Sequence, residues 1–345
     1  MAATKRRLAR RIGFSLGLTL FLVLGLEGAL RLAGWPTHQV RNVQWLMNDD
    51  PASFARAIGV FRPGTVGRVA WPAELAYEVR INALGLRGPE VAREGPPPGT
   101  KRVLALGDSG TFGFYVGEEE TFPARLEQLL RAGGVPVEVI NGGCGGWSID
   151  SATLFLEERA IALAPDLVVL VYCSNDISDL RAPEPSWVTL RDRVGEKTRS
   201  WLEATAIHEL AWRTKARFRS RRARPLASDD LEPAERERLW GVYERWLVRL
   251  SGFLAERKVA LLVVYQPDAS KLAAGLPSED EARLRELCGR RAVPFVSALP
   301  RFQERSPDET FLLPQGDPHP SALGYRLEAE AAAAAILARR GELGL

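Results

Sequence analysis

The stretch Arg102-Val-Leu-Ala-Leu-Gly-Asp-Ser109-Gly-Thr-Phe-Gly113 decides how the chain is read. A short apolar run, 102–106, stops at a glycine, and the turn after it carries an acid and a hydroxyl. Continuous apolar runs of this length suit strands that are buried on both faces. Four more follow: 137–141 (VEVIN), 167–172 (LVVLVY), 259–265 (VALLVVY) and 293–297 (VPFVS). Amphipathic stretches at 121–132, 148–163, 234–257 and 278–291 separate them, and another at 321–340 comes last. Strands alternating with helical segments predict an α/β fold with a five-stranded parallel sheet covered on both faces. The interval 177–233 is too long for a simple crossover and is read as an insertion. Before the sheet, residues 36–100 hold short apolar pieces between turn signals: Gly59-Val-Phe, Arg68-Val-Ala-Trp and Tyr77-Glu-Val-Arg-Ile. They predict a small β-rich lead-in that ends at Gly95-Pro-Pro-Pro-Gly99.

In an open α/β sheet, ligands bind beyond the carboxyl ends of the strands. After the first strand stands Gly107-Asp108-Ser109-Gly110, and after the second Asn141-Gly142-Gly143-Cys144-Gly145-Gly146-Trp147. After the third stands Cys173-Ser174-Asn175-Asp176, and just before the last helix Gln315-Gly316-Asp317-Pro318-His319. A hydroxyl, a glycine-rich backbone, a carboxamide and an Asp/His pair thus share one rim. Those are the parts of a serine nucleophile, an oxyanion hole and a general base with its orienting acid. Each also has a plainer reading. Ser109 can cap the following helix, Gly143 can serve a turn with φ > 0, and Asn175 can brace a strand end. Asp176 is assigned to structure, as a helix-start cap or loop bracket. Of the three histidines, His38 is juxtamembrane and His208 falls in the insertion, so only His319 lies at the rim.

The 345 residues are 46% hydrophobic and 26% charged, enough apolar material for one large domain or two small ones. The net charge of +3 is unevenly distributed. Residues 1–11 carry five basic residues and 211–225 carry seven, with no acid in either, and the remaining body is acidic overall. That pattern argues against a nucleic-acid-binding surface. The run Arg213 to Arg224 is a solvated face or, alternatively, a contact for anionic lipid headgroups. Three scattered cysteines (Cys144, Cys173, Cys288) form neither a disulfide framework nor a Cys-x-x-Cys pair. No metal and no cofactor is expected.

At the N-terminus, five basic residues precede Ile12 to Leu26, a run of 15 residues without a charge. Counted on to Ala33 the segment is long enough to span a bilayer. Signal cleavage needs small residues at −3 and −1, and the candidate sites after Leu26 put Glu27, Leu or Arg there, so an uncleaved anchor at 1–35 is expected over a cleaved signal peptide. The charge bias places the N-terminus in the cytoplasm and the rest of the chain on the extracytoplasmic (periplasmic) side. The lipid bilayer is then a partner of the N-terminal helix.

The rim motifs resemble the SGNH (GDSL-type) hydrolases. Their four blocks match as Gly107-Asp108-Ser109, Asn141-Gly142-Gly143, Ser174-Asn175-Asp176 and Asp317-Pro318-His319, in order, over about 100–340. The segment Asn82-Ala-Leu-Gly-Leu-Arg87-Gly, with the anchor, looks like a bacterial envelope-anchored branch of this family. The resemblance implies a flavodoxin-like three-layer α/β/α sandwich spanning 101–345, with the insertion inside it. It also implies attack by Ser109 on an acyl carbon, with three oxyanion donors: the Ser109 N–H, the Gly143 N–H and the Asn175 amide. Two positions depart from the pattern. Cys173-Ser174 replaces the usual Gly-x before Asn175, and Gly316 stands where the family has an acid three residues before the histidine. The acid is expected to be Asp317, with Asp308 and Glu309 as more distant rivals and a Ser–His dyad as the third possibility. The expected activity is hydrolysis of an acyl ester on an envelope carbohydrate or lipid. The alternatives are an O-acyltransferase with the same triad, resembling alginate O-acetylation proteins, and a non-catalytic scaffold on this fold.

Rival signatures fit less well. A chymotrypsin-like protease needs a histidine and an aspartate upstream of its Gly-Asp-Ser-Gly, on antiparallel barrels. Thr111 breaks the Gly-x-Ser-x-Gly elbow of α/β-hydrolases, and the loop lacks the lysine of a phosphate-binding P-loop.

Overall fold

The structure is a computed structural model describing residues 2–34, 46–69, 76–195, 205–219, 231–313 and 317–345. His38, Ala70, Trp71 and Gly316 lie outside the described residues. The chain divides into two compact units, 1–39 with 197–223, and 40–196 with 224–345. The smaller opens with helix α1 (Ala2–Leu32), whose segment Arg10–Leu32 is long and apolar enough to cross a membrane.

The larger unit begins with helix α2 (Pro51–Arg56) and an antiparallel pair, β1 (Val66–Val69) and β2 (Tyr77–Arg80). Buried and exposed positions alternate along both strands, so one face packs inward and the other meets water. Next come β3 (Lys101–Leu106), β4 (Val137–Asn141), β5 (Leu167–Tyr172), β6 (Ala260–Tyr265) and β7 (Phe295–Ser297). These form the expected five-stranded parallel sheet, in the order β4-β3-β5-β6-β7. Strand β7 starts two residues later than expected, because Pro294 has no N–H to give the ladder.

Helices α3 (Ser109–Phe112) and α4 (Phe122–Ala132) connect β3 to β4, and α5 (Ile149–Glu158) leads to β5. The insertion holds α6 (Asp176–Asp179), α7 (Ser186–Asp192) and α8 (Ala206–Arg219), of which α8 belongs to the smaller unit. Helix α9 (Pro233–Glu256) returns the chain to β6, and α10 (Ala269–Ala274) and α11 (Glu279–Arg290) lead to β7. After the sheet come α12 (Leu299–Gln303), α13 (Pro307–Thr310), an antiparallel hairpin and α14 (Ala322–Ala338). The hairpin, β8 (Phe311–Leu313) with β9 (Asp317–Pro320), was not expected from the sequence.

Side chains leave the sheet alternately toward two apolar layers. Val103, Ala105, Val169, Val171, Leu262 and Val264 pack with Phe122, Leu126 and Leu130 of α4 and Tyr325, Ala329 and Ile336 of α14. Leu104, Leu106, Val168, Leu170, Val263 and Tyr265 pack on the other face with Phe155, Leu247 and Leu284. The lead-in shares this second layer through Phe54, Val79 and Leu86, so it is part of the same core. Each fully buried aliphatic or aromatic side chain contributes about 1.5–3 kcal/mol, which makes these layers the main stabilising term. The result is the three-layer α/β/α sandwich of the flavodoxin-like, SGNH type. The chain enters the sheet at β3, steps out to β4, then crosses back to β5. Connections therefore diverge between the carboxyl ends of β3 and β5, and a crevice opens there.

Candidate active site

Ser109 stands at this crevice as the first residue of α3, immediately after β3. Gly107 makes the turn with φ +154°, and a Cβ there would lie 2.3 Å from Thr111 Oγ1. Asp108 caps the helix by accepting the Gly110 N–H at 2.7 Å. His319 arrives from the other end of the chain on β9, and its Nε2 lies 2.8 Å from Ser109 Oγ. In that geometry a neutral imidazole with its proton on Nδ1 accepts the serine proton at Nε2. The His319 ring stacks on Phe114 (5.1 Å, 13°) and meets the edge of Tyr115 (5.2 Å, 90°). Tyr115 holds this place at φ +66°, a left-handed conformation that costs a bulky residue energy and that the packing must sustain.

Below Ser109, the buried Asp108 carboxylate has four polar neighbours. Its Oδ1 accepts from Gly110 and from the Cys173 thiol at 2.9 Å; its Oδ2 accepts from Asn175 Nδ2 at 3.1 Å and faces Ser109 Oγ at 3.2 Å. The serine has one proton and two acceptors, and the shorter contact is the one to His319. Asp108, Cys173 and Asp176 bring their ligand-type atoms within 4.8 Å of one another. Burial and the carboxylates of Asp108 and Asp176 hold the Cys173 thiol well above its ordinary range, so it is a donor to Asp108 rather than a thiolate. Asp176 is buried at the start of α6, and burial followed by Asp108 and Asp179 pushes its carboxyl well up. The N-cap of that helix is Asn175, and the Asp176 Oδ1 has no hydrogen-bond partner among the described residues.

Two of the expected oxyanion donors are engaged within the protein. The Gly143 N–H donates to Asn141 Oδ1 at 3.0 Å. Gly143 also has a packing reason to be glycine. A Cβ there would lie 2.3 Å from Phe112 N, so its absence lets the second loop seat against α3. An ideal Cβ on Gly145 would lie 3.7 Å from Ser109 Cβ, so this part of the loop borders the serine. Asn175 reaches the site, but both hydrogens of its amide are engaged, by Asp108 and by Asp179 Oδ2 at 2.8 Å. Burial raises the Asp179 carboxyl to about 6 against the pull of that amide.

Asp317 is placed by its backbone on β9, two residues before His319, and its side chain lies outside the described residues. Among the rival acids, Asp308 and Glu309 are exposed on α13, where Glu309 accepts the Ser306 N–H at 3.1 Å.

Arg87 is the residue that sequence reasoning left without a role. It is 2% exposed and donates to the carbonyls of Phe112 (2.9 Å), Gly113 (2.5 Å) and Val116 (2.7 Å), with its guanidinium 4.9 Å from the Phe112 ring. The lead-in thereby holds the far end of the helix that carries Ser109. The only signal in the sequence was an arginine between glycines and apolar residues, which does not separate a buried clamp from a surface charge.

The sequence model of the GDSL-like Lipase/Acylhydrolase family matches residues 105–327. No curated protein matches the chain. Similar solved structures include an acetylxylan esterase from Geobacillus stearothermophilus, as a catalytic mutant: 17% identity, 68% of this chain, 94% of that one, TM-score 0.41. Another is the lipase/acylhydrolase from Enterococcus faecalis: 14% identity, 69% of this chain, 96% of that one, TM-score 0.43.

Proposed function

Because the chain belongs to the GDSL-like lipase/acylhydrolase family, and is thus an esterase of the SGNH type, we propose that Ser109 and His319 are its nucleophile and base. The observation that carries this is the 2.8 Å contact between Ser109 Oγ and His319 Nε2. His319 takes the Ser109 proton, and Oγ attacks the acyl carbon. The tetrahedral oxyanion collapses, and the leaving alcohol takes the proton back from His319. Water, deprotonated by the same ring, then attacks the acyl-enzyme and frees the carboxylic acid.

The Ser109 N–H at the start of α3 and the Asn175 amide stabilise the oxyanion. With the Gly143 N–H given to Asn141, the glycine loop contributes its donor from the Gly145–Gly146 stretch, whose N–H groups have no acceptor among the described residues. For Asn175 to serve, the oxyanion displaces one of the two carboxylates that hold its amide. Asp317, two residues before the histidine, is the acid assigned to orient His319, because a carboxylate fixes the tautomer and stabilises the imidazolium that forms during attack. The substrate is an acyl ester carried by an envelope carbohydrate or lipid. That class is supported by the N-terminal span Arg10–Leu32, read as an anchor with the catalytic unit outside the cytoplasm.

A fluorophosphonate probe tests the nucleophile. It is expected to label Ser109 alone, with turnover falling about 10³-fold or more in Ser109→Ala. Near-wild-type esterase activity in that variant would sink the assignment.

A further inference from the structure

Glu27 sits on α1 five residues before the end of its apolar segment, roughly 7 Å along the axis. Its carboxylate accepts the N–H groups of Ala206 and Ile207, both at 3.0 Å, and the Arg31 Nε–H at 2.7 Å. An acid from the apolar helix thus caps the first turn of α8, where the helix dipole favours negative charge. Helix α8 therefore starts at the level of the C-terminal end of α1.

Along α8 the helical repeat puts positions 207, 210, 211, 214 and 218 on one face, occupied by Ile207, Leu210, Ala211, Thr214 and Phe218. Positions 213 and 217 border that face on one side and 215 and 219 on the other, and all four are basic. Leu210, Ala211 and Thr214 are exposed and Ile207 is half-buried, whereas Ala206 and Glu209 are buried, on the side of positions 213 and 217. Beyond Glu209 the helix has no acid. A face exposed at Leu210, Ala211 and Thr214, with basic positions to either side in the sequence, is the pattern of a helix lying in a membrane interface.

We propose that α8 lies flat in the headgroup layer of the leaflet at the C-terminal end of α1, held there by anionic phospholipid. The inference rests on reading α1 as a membrane span. Anionic lipid is the occupant because Arg213, Lys215, Arg217 and Arg219 complement it and because Glu27 ties the helix to the segment that enters the bilayer. An esterase held this way keeps a helix of its insertion at the surface from which an envelope ester is presented.

The test uses the full chain in bilayers of phosphatidylcholine, alone or with about a third phosphatidylglycerol. An environment-sensitive dye is placed at Ala211→Cys or at Leu22→Cys; the native cysteines are buried. The dye at 211 is expected to shift to the blue and be quenched by headgroup-level spin labels when phosphatidylglycerol is present. High salt should weaken the effect. Each basic residue near an anionic surface is worth roughly fivefold in partitioning. Changing all four to Gln should therefore lower occupancy of the leaflet by a factor on the order of 10² or more. The dye at 22 should be quenched by deep acyl-chain labels in both compositions. If it is not, the anchor itself fails. If it is, but the dye at 211 ignores lipid charge and salt, α8 is not at the interface and the inference falls. A shift at 211 that follows protein density rather than lipid composition would assign the stripe to a second copy and overturn it equally.

Discussion

Replacing Arg87 with Met keeps the bulk of the side chain and removes its donors. Among the described residues, the Phe112 carbonyl retains a second donor, Asn141 Nδ2 at 3.1 Å, so it is not orphaned. The carbonyls of Gly113 and Val116 lose the donors they have at 2.5 and 2.7 Å. Two buried acceptors left empty cost about 1–3 kcal/mol each. Relief from burying a charge offsets part of this, leaving a net loss of about 2–4 kcal/mol. The same carbonyls form the turn behind α3, so the loss also loosens Ser109. A displacement of about 1 Å at a nucleophile can cost on the order of 10² in rate. Arg87→Lys should recover only part of either quantity, because one ammonium cannot reproduce a planar fork spread over three carbonyls. Urea unfolding of the full chain in detergent gives the stability change, and ester turnover under conditions where the variant is folded gives the rate. If Arg87→Met unfolded within about 0.5 kcal/mol of the parent and turned over at the parental rate, the clamp would have no role in positioning the nucleophile.

Three further outcomes are expected. Asp317→Asn should lower kcat by orders of magnitude while leaving fluorophosphonate access intact; a loss under about tenfold with an unmoved pH profile would favour a Ser–His dyad. Asn175→Ala should lower kcat roughly 10²–10³-fold with little change in KM, whereas an effect on KM alone would reassign the amide to substrate binding. Burial raises Glu328 to about 8, and neither carboxyl oxygen has a partner among the described residues. The folded chain keeps a proton there that the unfolded chain releases near the ordinary carboxyl range. Stability should therefore be greatest below that range and fall as pH rises toward about 8. Urea midpoints across this window should slope less in Glu328→Gln, and an unchanged slope would count against the buried acid.

The sheet was legible because a strand buried on both faces needs an unbroken apolar run, and each such run ended at a turn-forming glycine, proline or polar residue. Ser109 and His319 were legible for a related reason: strand-end position and chemistry together leave few alternatives for them. The glycine loop was not. In Asn141-Gly-Gly-Cys-Gly-Gly, residue identity does not tell which N–H is free, and the Asn141 carboxamide that captures Gly143 acts through space. The β8–β9 hairpin escaped because its strands are three and four residues long and one contains two prolines. Asn175 was found as a carboxamide at the rim, but the two carboxylates holding it come from separate places, the turn after β3 and helix α6.

Ser109 and His319 are 210 residues apart, and the hairpin that delivers the histidine closes only after the whole sheet has been laid down. During synthesis the hydroxyl emerges early, on a strand-turn-helix that needs little more than its neighbours to form. On the proposed mechanism it lacks its base until β9 arrives, and a serine without one is a poor nucleophile. A chain cut short just before residue 319 would therefore carry all five strands of the sheet and the Ser109 hydroxyl without the proposed base. On the proposed mechanism the hydroxyl is activated only when β9 joins the fold, long after the strand that presents Ser109 has been made.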